Sequence, residues 1–325
     1  MKIQSRTLAF QGSWKSEGKA PPIIKNPKPA NIERRAAILH LIREFFAGRG
    51  YLEVETPLRI PAPLPEAHIE VISSDGWVLQ PSPELCMKRL LAVGHEKIFQ
   101  ICKCFRKAER GQRHLPEMTM LEWYAAGQTY NDLMTCCEEL VRHIARGLGI
   151  GDRLSYQGLA IDLAAPWPRL TASDAFRRFA SIPMERALAE GDFDEIMGIE
   201  IEPNLGQEHP LFLIDYPAEK ASLACLKPGV SSVAERFELY IGGVELCNGF
   251  SELNDAAEQR RRFEAEQEII RNAGRAVHPL PEKFLEALAH LPPCAGNALG
   301  IDRLIMLFCD AGAIDDVVAF APEDL

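Results

Sequence analysis

The segment Phe237-Glu-Leu-Tyr-Ile-Gly242-Gly243-Val-Glu-Leu-Cys-Asn-Gly-Phe250 constrains the fold of this chain more than any other. Two consecutive glycines supply the positive-φ pair that a two-residue turn requires, so the stretch predicts an antiparallel hairpin. Setting Ile241 opposite Val244 places Tyr240 opposite Glu245 and Leu239 opposite Leu246. Side chains alternate with period two, and Glu238 and Glu245 then fall on one face as diagonal neighbours. Two carboxylates that close repel unless a cation sits between them. Mg²⁺ carrying a nucleotide's phosphates is one occupant, and a solvated strand face is the other reading. Beyond the turn, Asn248, Phe250 and Glu252 alternate, presenting an amide, an aromatic ring and a carboxylate together.

Other segments repeat that chemistry. Ile98 to Arg106 and Met118 to Tyr124 read as strands joined by a charged loop, Lys107 to Pro116, and the second strand presents Glu122 and Tyr124 together. Ser82-Pro83-Glu84 adds an acid in a turn-like setting. Several acids with aromatic walls suit a ligand bearing two amino groups. Arg106 ends a strand and His114 follows in the loop; a planar guanidinium there can clamp a carboxylate and a phosphate. Gly296-Asn-Ala298-Leu-Gly300-Ile-Asp-Arg303 opens the last helix, where the glycines let backbone approach a flat base and Arg303 can reach phosphates. A surface ion pair is the alternative for either arginine.

Helical periodicity over Ile38, Ile42, Phe45 and Phe46, with Asn31 as a cap and Gly48 and Gly50 as a stop, predicts a helix. Tyr51 to Pro57 then reads as a short strand. Residues 131–149 and 255–273 predict two more helices, and 150–210 an insertion of strands and helices. Strands and helices do not alternate in βαβ fashion, so the expected fold is α+β, an antiparallel sheet flanked by helices. Residues 1–31 form a polar, proline-containing leading segment and 32–325 the domain.

A net charge of -10 argues against a large phosphate-tracking surface. Nine cysteines without a Cys-x-x-Cys pair imply free thiols in a reducing compartment. No membrane-length apolar stretch and no signal-type core over Met1 to Gln11 are present, so a cytoplasmic protein with no membrane partner is expected.

In order along the chain, these blocks resemble the motifs of class II aminoacyl-tRNA synthetases, lysyl branch. Gly48-Arg-Gly-Tyr-Leu-Glu-Val-Glu-Thr-Pro57 resembles motif 1. Phe105-Arg106 through His114-Leu115-Pro-Glu117 to Tyr124 resembles motif 2, and Gly300-Ile-Asp-Arg303 motif 3. Glu245-Leu246-Cys-Asn248-Gly-Phe250-Ser-Glu252 resembles the lysyl amino-acid pocket. The resemblance implies ATP with Mg²⁺ as cofactor, held by Glu238 and Glu245, and a homodimer through the Ile38–Phe46 helix and the strand before Pro57. It implies that Arg106 grips the α-phosphate and the amino-acid carboxylate as the adenylate forms. Lys107, Ala108, Glu109, His114, Leu115, Leu246 and Gly300 would line the nucleotide, and Arg303 would contact the triphosphate. Glu84, with Ser82 and Pro83, would meet the backbone-side amine and Tyr124 and Glu252 the ε-ammonium, while Glu122, Asn248, Phe250 and Ala298 line the pocket.

The sequence also departs from that branch. Only 31 residues precede the first helix, too few for an oligonucleotide-binding domain, since independent domains rarely have fewer than about 50. No anticodon-binding domain and no tRNA partner are therefore expected. Such a pattern resembles the ligases that attach (R)-β-lysine, or lysine, to a lysine side chain of elongation factor P. An amino-acid ligase with a tRNA or small-molecule acceptor is the alternative. Ala298 replaces the glycine of a lysyl-tRNA synthetase, Ala108 a glutamate, which Glu109 is placed to supply, and Leu115 an asparagine expected on the nucleotide.

Overall fold

The computed structural model describes residues 29–325. The leading segment expected over 1–31 therefore lies outside the described residues up to residue 28. Helix α1 (Pro29–Ala47) opens the description, and its inward stripe is the expected one: Ile38, Ile42, Phe45 and Phe46 are buried. Asn31 is not its cap. It sits inside the helix and donates from Nδ2 to the Asp316 carbonyl, 2.9 Å away.

One large sheet follows, built from β1 (Leu52–Glu53), β2 (Lys97–Phe105), β3 (Glu117–Ala126), β4 (Arg169–Thr171), β5 (Leu211–Pro217), β6 (Leu226–Lys227), β7 (Val230–Ile241), β8 (Val244–Ser251) and β9 (Cys294–Gly300). The spatial order is β1-β2-β3-β9-β8-β7-β5-β4, with β6 paired to β7. The central pairings are antiparallel, as expected, whereas β1 on β2 and β4 on β5 are parallel. The strand expected from Tyr51 to Pro57 shortens to two exposed residues, because it has only one neighbour to pair with.

Alternation along β3 separates two environments. Leu121, Trp123 and Ala125 point into the main core with α1, α3 (Tyr130–Gly147) and α6 (Ile301–Phe308), where Phe46 stacks on Phe99 at 4.9 Å. Met120, Glu122 and Tyr124 point the other way, into a cleft. That side is walled by α2 (Glu84–Ala92), α4 (Ala256–Asn272) and α5 (Glu282–Leu288), which share a second core around Phe263 and Phe284. The insertion between α3 and β5 forms a third cluster around Phe176, Phe193 and Ile201. Ile38, Ile42, Phe45 and Phe46 pack in this chain's own core, which leaves the outward face of α1 and the exposed strand before Pro57 for the expected dimer contact.

The glycine hairpin forms with Gly242 at φ +59° and Gly243 at φ +70°. Ile241 faces Val244 and Tyr240 faces Glu245, as expected, but Leu239 faces Cys247 instead of Leu246. The extra residue is a β-bulge. It inverts the alternation, so the odd-numbered Glu245 shares a face with the even-numbered Asn248 and Phe250.

Candidate active site

The cleft above the sheet measures about 320 Å³. Its floor is laid by register: Ala298 of β9 lies opposite Asn248 of β8 on one side and opposite Glu122 of β3 on the other. Gly296 lies opposite Tyr124, and a side chain on Gly296 would collide with the Tyr124 ring and with Glu252 Oε1. This glycine therefore makes room for the acid-lined wall. The expectation that it opens space for a flat base is corrected.

Acids gather toward the C-terminal half of β3. Glu122 is fully buried and accepts hydrogen bonds from Ser82 Oγ at 2.6 Å and Tyr124 Oη at 2.8 Å. Ser82 Oγ in turn accepts from the Glu84 amide at 3.1 Å, so a hydroxyl fixes both acids. Burial, with the nearby Glu84 carboxylate, raises the Glu122 carboxyl to about 7. Burial likewise raises Glu252 to about 8, against the pull of Lys88. Glu66, from the segment roofing the cleft, is raised by burial to about 7 against the attraction of Arg106. Carboxyl groups held in this way favour a cationic ligand.

Cations gather at the opposite end. Arg303 donates from Nη1 to the Glu245 carbonyl and carboxylate, both at 3.0 Å, and from Nε to the Arg113 carbonyl at 3.2 Å, and it also contacts His114. Burial, reinforced by the Arg303 charge, lowers the His114 pKa. Burial alone would raise Glu245, but Arg303 outweighs it and holds that carboxyl below its ordinary value. Arg106 follows β2 and faces the cleft, with Nη1 3.6 Å from Glu109.

Most of the residues singled out in the sequence meet here. Ser82, Glu84, Arg106, Glu109, His114, Leu115, Glu122, Tyr124, Glu245, Leu246, Asn248, Phe250, Ala298, Gly300 and Arg303 all line the cleft. Five do not. Pro83 occupies the position before α2, and Lys107 turns outward to pair with Glu70. Ala108 stands in a left-handed turn at φ +62°, which leaves Glu109 as the acid facing Arg106. Glu252 lies behind the wall, paired with Lys88. Glu238 accepts from Tyr216 Oη at 2.5 Å, Tyr240 Oη at 2.6 Å and Arg236 Nη2 at 2.7 Å.

That last arrangement bears on a metal. No group of three His, Cys, Asp or Glu side chains is arranged to hold an ion among the described residues. Glu238 and Glu245 still share a face, and their oxygens suit Mg²⁺, which takes one or two carboxylates and completes its shell with water and phosphate oxygens. The donor set fits an ion that arrives with a nucleotide.

Four side chains important to this geometry escaped the sequence reading: Lys88, Arg113, Arg236 and Glu66. Lys88 had a legible signal, since it falls on the inner stripe of α2 with Leu85 and Leu91. Arg236 bridges Glu238 to Asn248 Oδ1, and only the pairing of β7 with β8 brings them together.

Residues 23–324 match the family of class II tRNA synthetases for D, K and N. The chain belongs to that family. Among curated relatives, the elongation factor P–(R)-β-lysine ligase of Vibrio atlanticus is 39% identical over 306 residues, covering 89% of this chain and 94% of the relative. Its namesakes from Yersinia enterocolitica and Pectobacterium carotovorum are 40% and 41% identical, covering 90% of this chain and 94% and 95% of their own lengths. The α+β sheet is thus that of a class II synthetase-like ligase. No helix among the described residues is long and apolar enough to cross a membrane.

Proposed function

We propose that this ligase activates (R)-β-lysine, or lysine, as its adenylate with Mg-ATP and passes it to a lysine side chain of elongation factor P. The observation that carries the reading is the polarity of the cleft, with amine-receiving acids at one end and phosphate-binding cations at the other. Glu84 receives one amine of the substrate. Tyr124 and Glu122 face the other, with Glu252 acting on it from behind the wall. Arg106 draws the carboxylate and the α-phosphate together, so that a carboxylate oxygen attacks phosphorus and pyrophosphate leaves. Arg303, with His114, steadies the departing phosphates. Magnesium, when bound with the nucleotide at Glu238 and Glu245, supplies charge neutralisation there. In the second half-reaction the acceptor lysine's neutral amine attacks the adenylate carbonyl and AMP leaves, forming an amide.

The reading includes a cytoplasmic homodimer that acts without tRNA. Because the α1 stripe is internal, a dimer contact through α1 uses its outward face. Intact-mass analysis of elongation factor P, after incubation with the enzyme, Mg-ATP and either amino acid, tests the reading. A gain of one lysyl unit, faster with the β isomer, is the expected result. Pyrophosphate release without a mass gain would redirect the search to a tRNA or small-molecule acceptor, and no release with either amino acid would sink the activation chemistry.

A further inference from the structure

Lys88 is 1% exposed, on the inner face of α2 one turn beyond Glu84. Its Nζ lies 2.5 Å from Glu84 Oε1 and also contacts Glu252 Oε2. No other donor reaches either Glu252 oxygen among the described residues. The ammonium stands 5.2 Å from the Phe250 ring and 6.0 Å from that of Phe284, an electrostatically favourable but apolar setting. A lysine is buried this deeply only when its partners offset the lost hydration. Both partners here belong to the wall of the ligand cleft: Glu84 lines it, and Glu252 backs the Tyr124 and Gly296 surface.

Three acids, Glu84, Glu122 and Glu252, stand against one ammonium, so two carboxyls are left to ionise against a ligand. That is the complement of a ligand carrying two ammonium groups. Without Lys88, Glu84 and Glu252 would repel each other, and one of them would turn away or take a proton. We infer that Lys88 is a positioning and specificity-determining residue, holding Glu84 and Glu252 apart as separate amine receivers and setting the wall's charge to match a two-amine amino acid. The inference rests on the activation reading above and adds to it a residue that touches no reacting atom.

The test is amino-acid-dependent ATP–pyrophosphate exchange by the full chain, with lysine and β-lysine as probes, for wild type, Lys88→Met, Lys88→Ala and Lys88→Arg. Methionine keeps the length and apolar stem, so a packing role predicts that K88M behaves as wild type. The positioning role predicts at least a roughly 30-fold rise in the KM for lysine in K88M. The KM for ATP should stay within about threefold. Propylammonium added to K88A should lower the lysine KM again, because it returns a cation to the gap. A native lysine KM in K88M overturns the inference, as does a joint rise in both KM values with no amine rescue. If K88M and K88A do not fold, K88R decides: a folded K88R with a lysine KM within about tenfold of wild type supports the role, and a K88R that fails to fold assigns Lys88 to structure alone. Absence of exchange by the wild-type protein would instead count against the activation reading.

Discussion

Ala298 sits in the floor of the cleft with Asn248 to one side and Glu122 to the other. In the proposed binding mode its methyl projects toward the ligand's carbon chain, between the acids proposed to receive the two amines. Moving an amine from the α to the β carbon changes the path of that chain by one carbon, a difference a single methyl can feel. Ala298→Gly should shift the ratio of kcat/KM values toward lysine by about 10- to 200-fold, the span that one methyl-sized contact provides. An unchanged ratio would show that the methyl does not select the isomer. At this scale the sequence was informative where chemistry is local, as at Ser82 and Glu84, which share one turn. It was uninformative where a residue contradicts its usual habit. Lysine is almost never fully buried, so a lysine one turn past an acid reads as a surface pair. Its place on the α2 stripe with Leu85 and Leu91 hinted at burial, and the packing of Phe250 and Phe284 around it sets Lys88 in the wall.

Elements in this fold are tied to one another by a few buried polar groups. Asp302, 2% exposed at the start of α6, accepts from Arg35 Nη1 of α1 and from the Thr119 amide of β3, both at 2.6 Å. Arg35 closes the triangle by donating from Nη2 to Thr119 Oγ1 at 2.8 Å. Three elements thus meet on one carboxylate directly beneath Arg303. Asp302→Asn keeps the shape but turns a donor toward a donor, and should cost about 2–4 kcal/mol of stability in urea denaturation. A loss below about 0.5 kcal/mol would show that water replaces the carboxylate. Periodicity and turn chemistry made α1, α3, α4 and the hairpin legible, because each satisfies its own local rule. The bulge was not legible, since strict alternation and a one-residue insertion produce the same composition. Yet the bulge puts Glu245 on the cleft face with Asn248 and Phe250. Motif order pointed to those residues together; simple alternation did not.

Across the whole molecule, four carboxyls, two buried (Glu122, Glu252) and two half-buried (Glu66, Glu202), are displaced in the same direction. Burial raises Glu66, Glu122 and Glu202 to about 7 and Glu252 to about 8, from an ordinary value of 4.5. Glu202 adds a second reason, the neighbouring Glu245 and Glu238 charges. A group raised on folding binds a proton that the unfolded chain has released. Its stabilising effect is complete below 4.5 and is lost as pH rises through 7 to 8. Glu245 is displaced the other way and acts only as pH falls below its ordinary value. His114, lowered by burial, opposes the carboxyls only below its ordinary 6.5. The free protein should therefore lose thermal stability as pH rises from about 4.5 to about 8, with His114 offsetting only part of the loss below 6.5. Saturating lysine should reduce that loss, because its ammonium groups stabilise the ionised forms of Glu122 and Glu252 while leaving Glu66 and Glu202 as they are. Differential scanning calorimetry with and without lysine checks both halves. A Tm that rises steadily with pH would mean these carboxyls are already ionised in the free protein. The charge match with a two-amine ligand would then owe nothing to proton release.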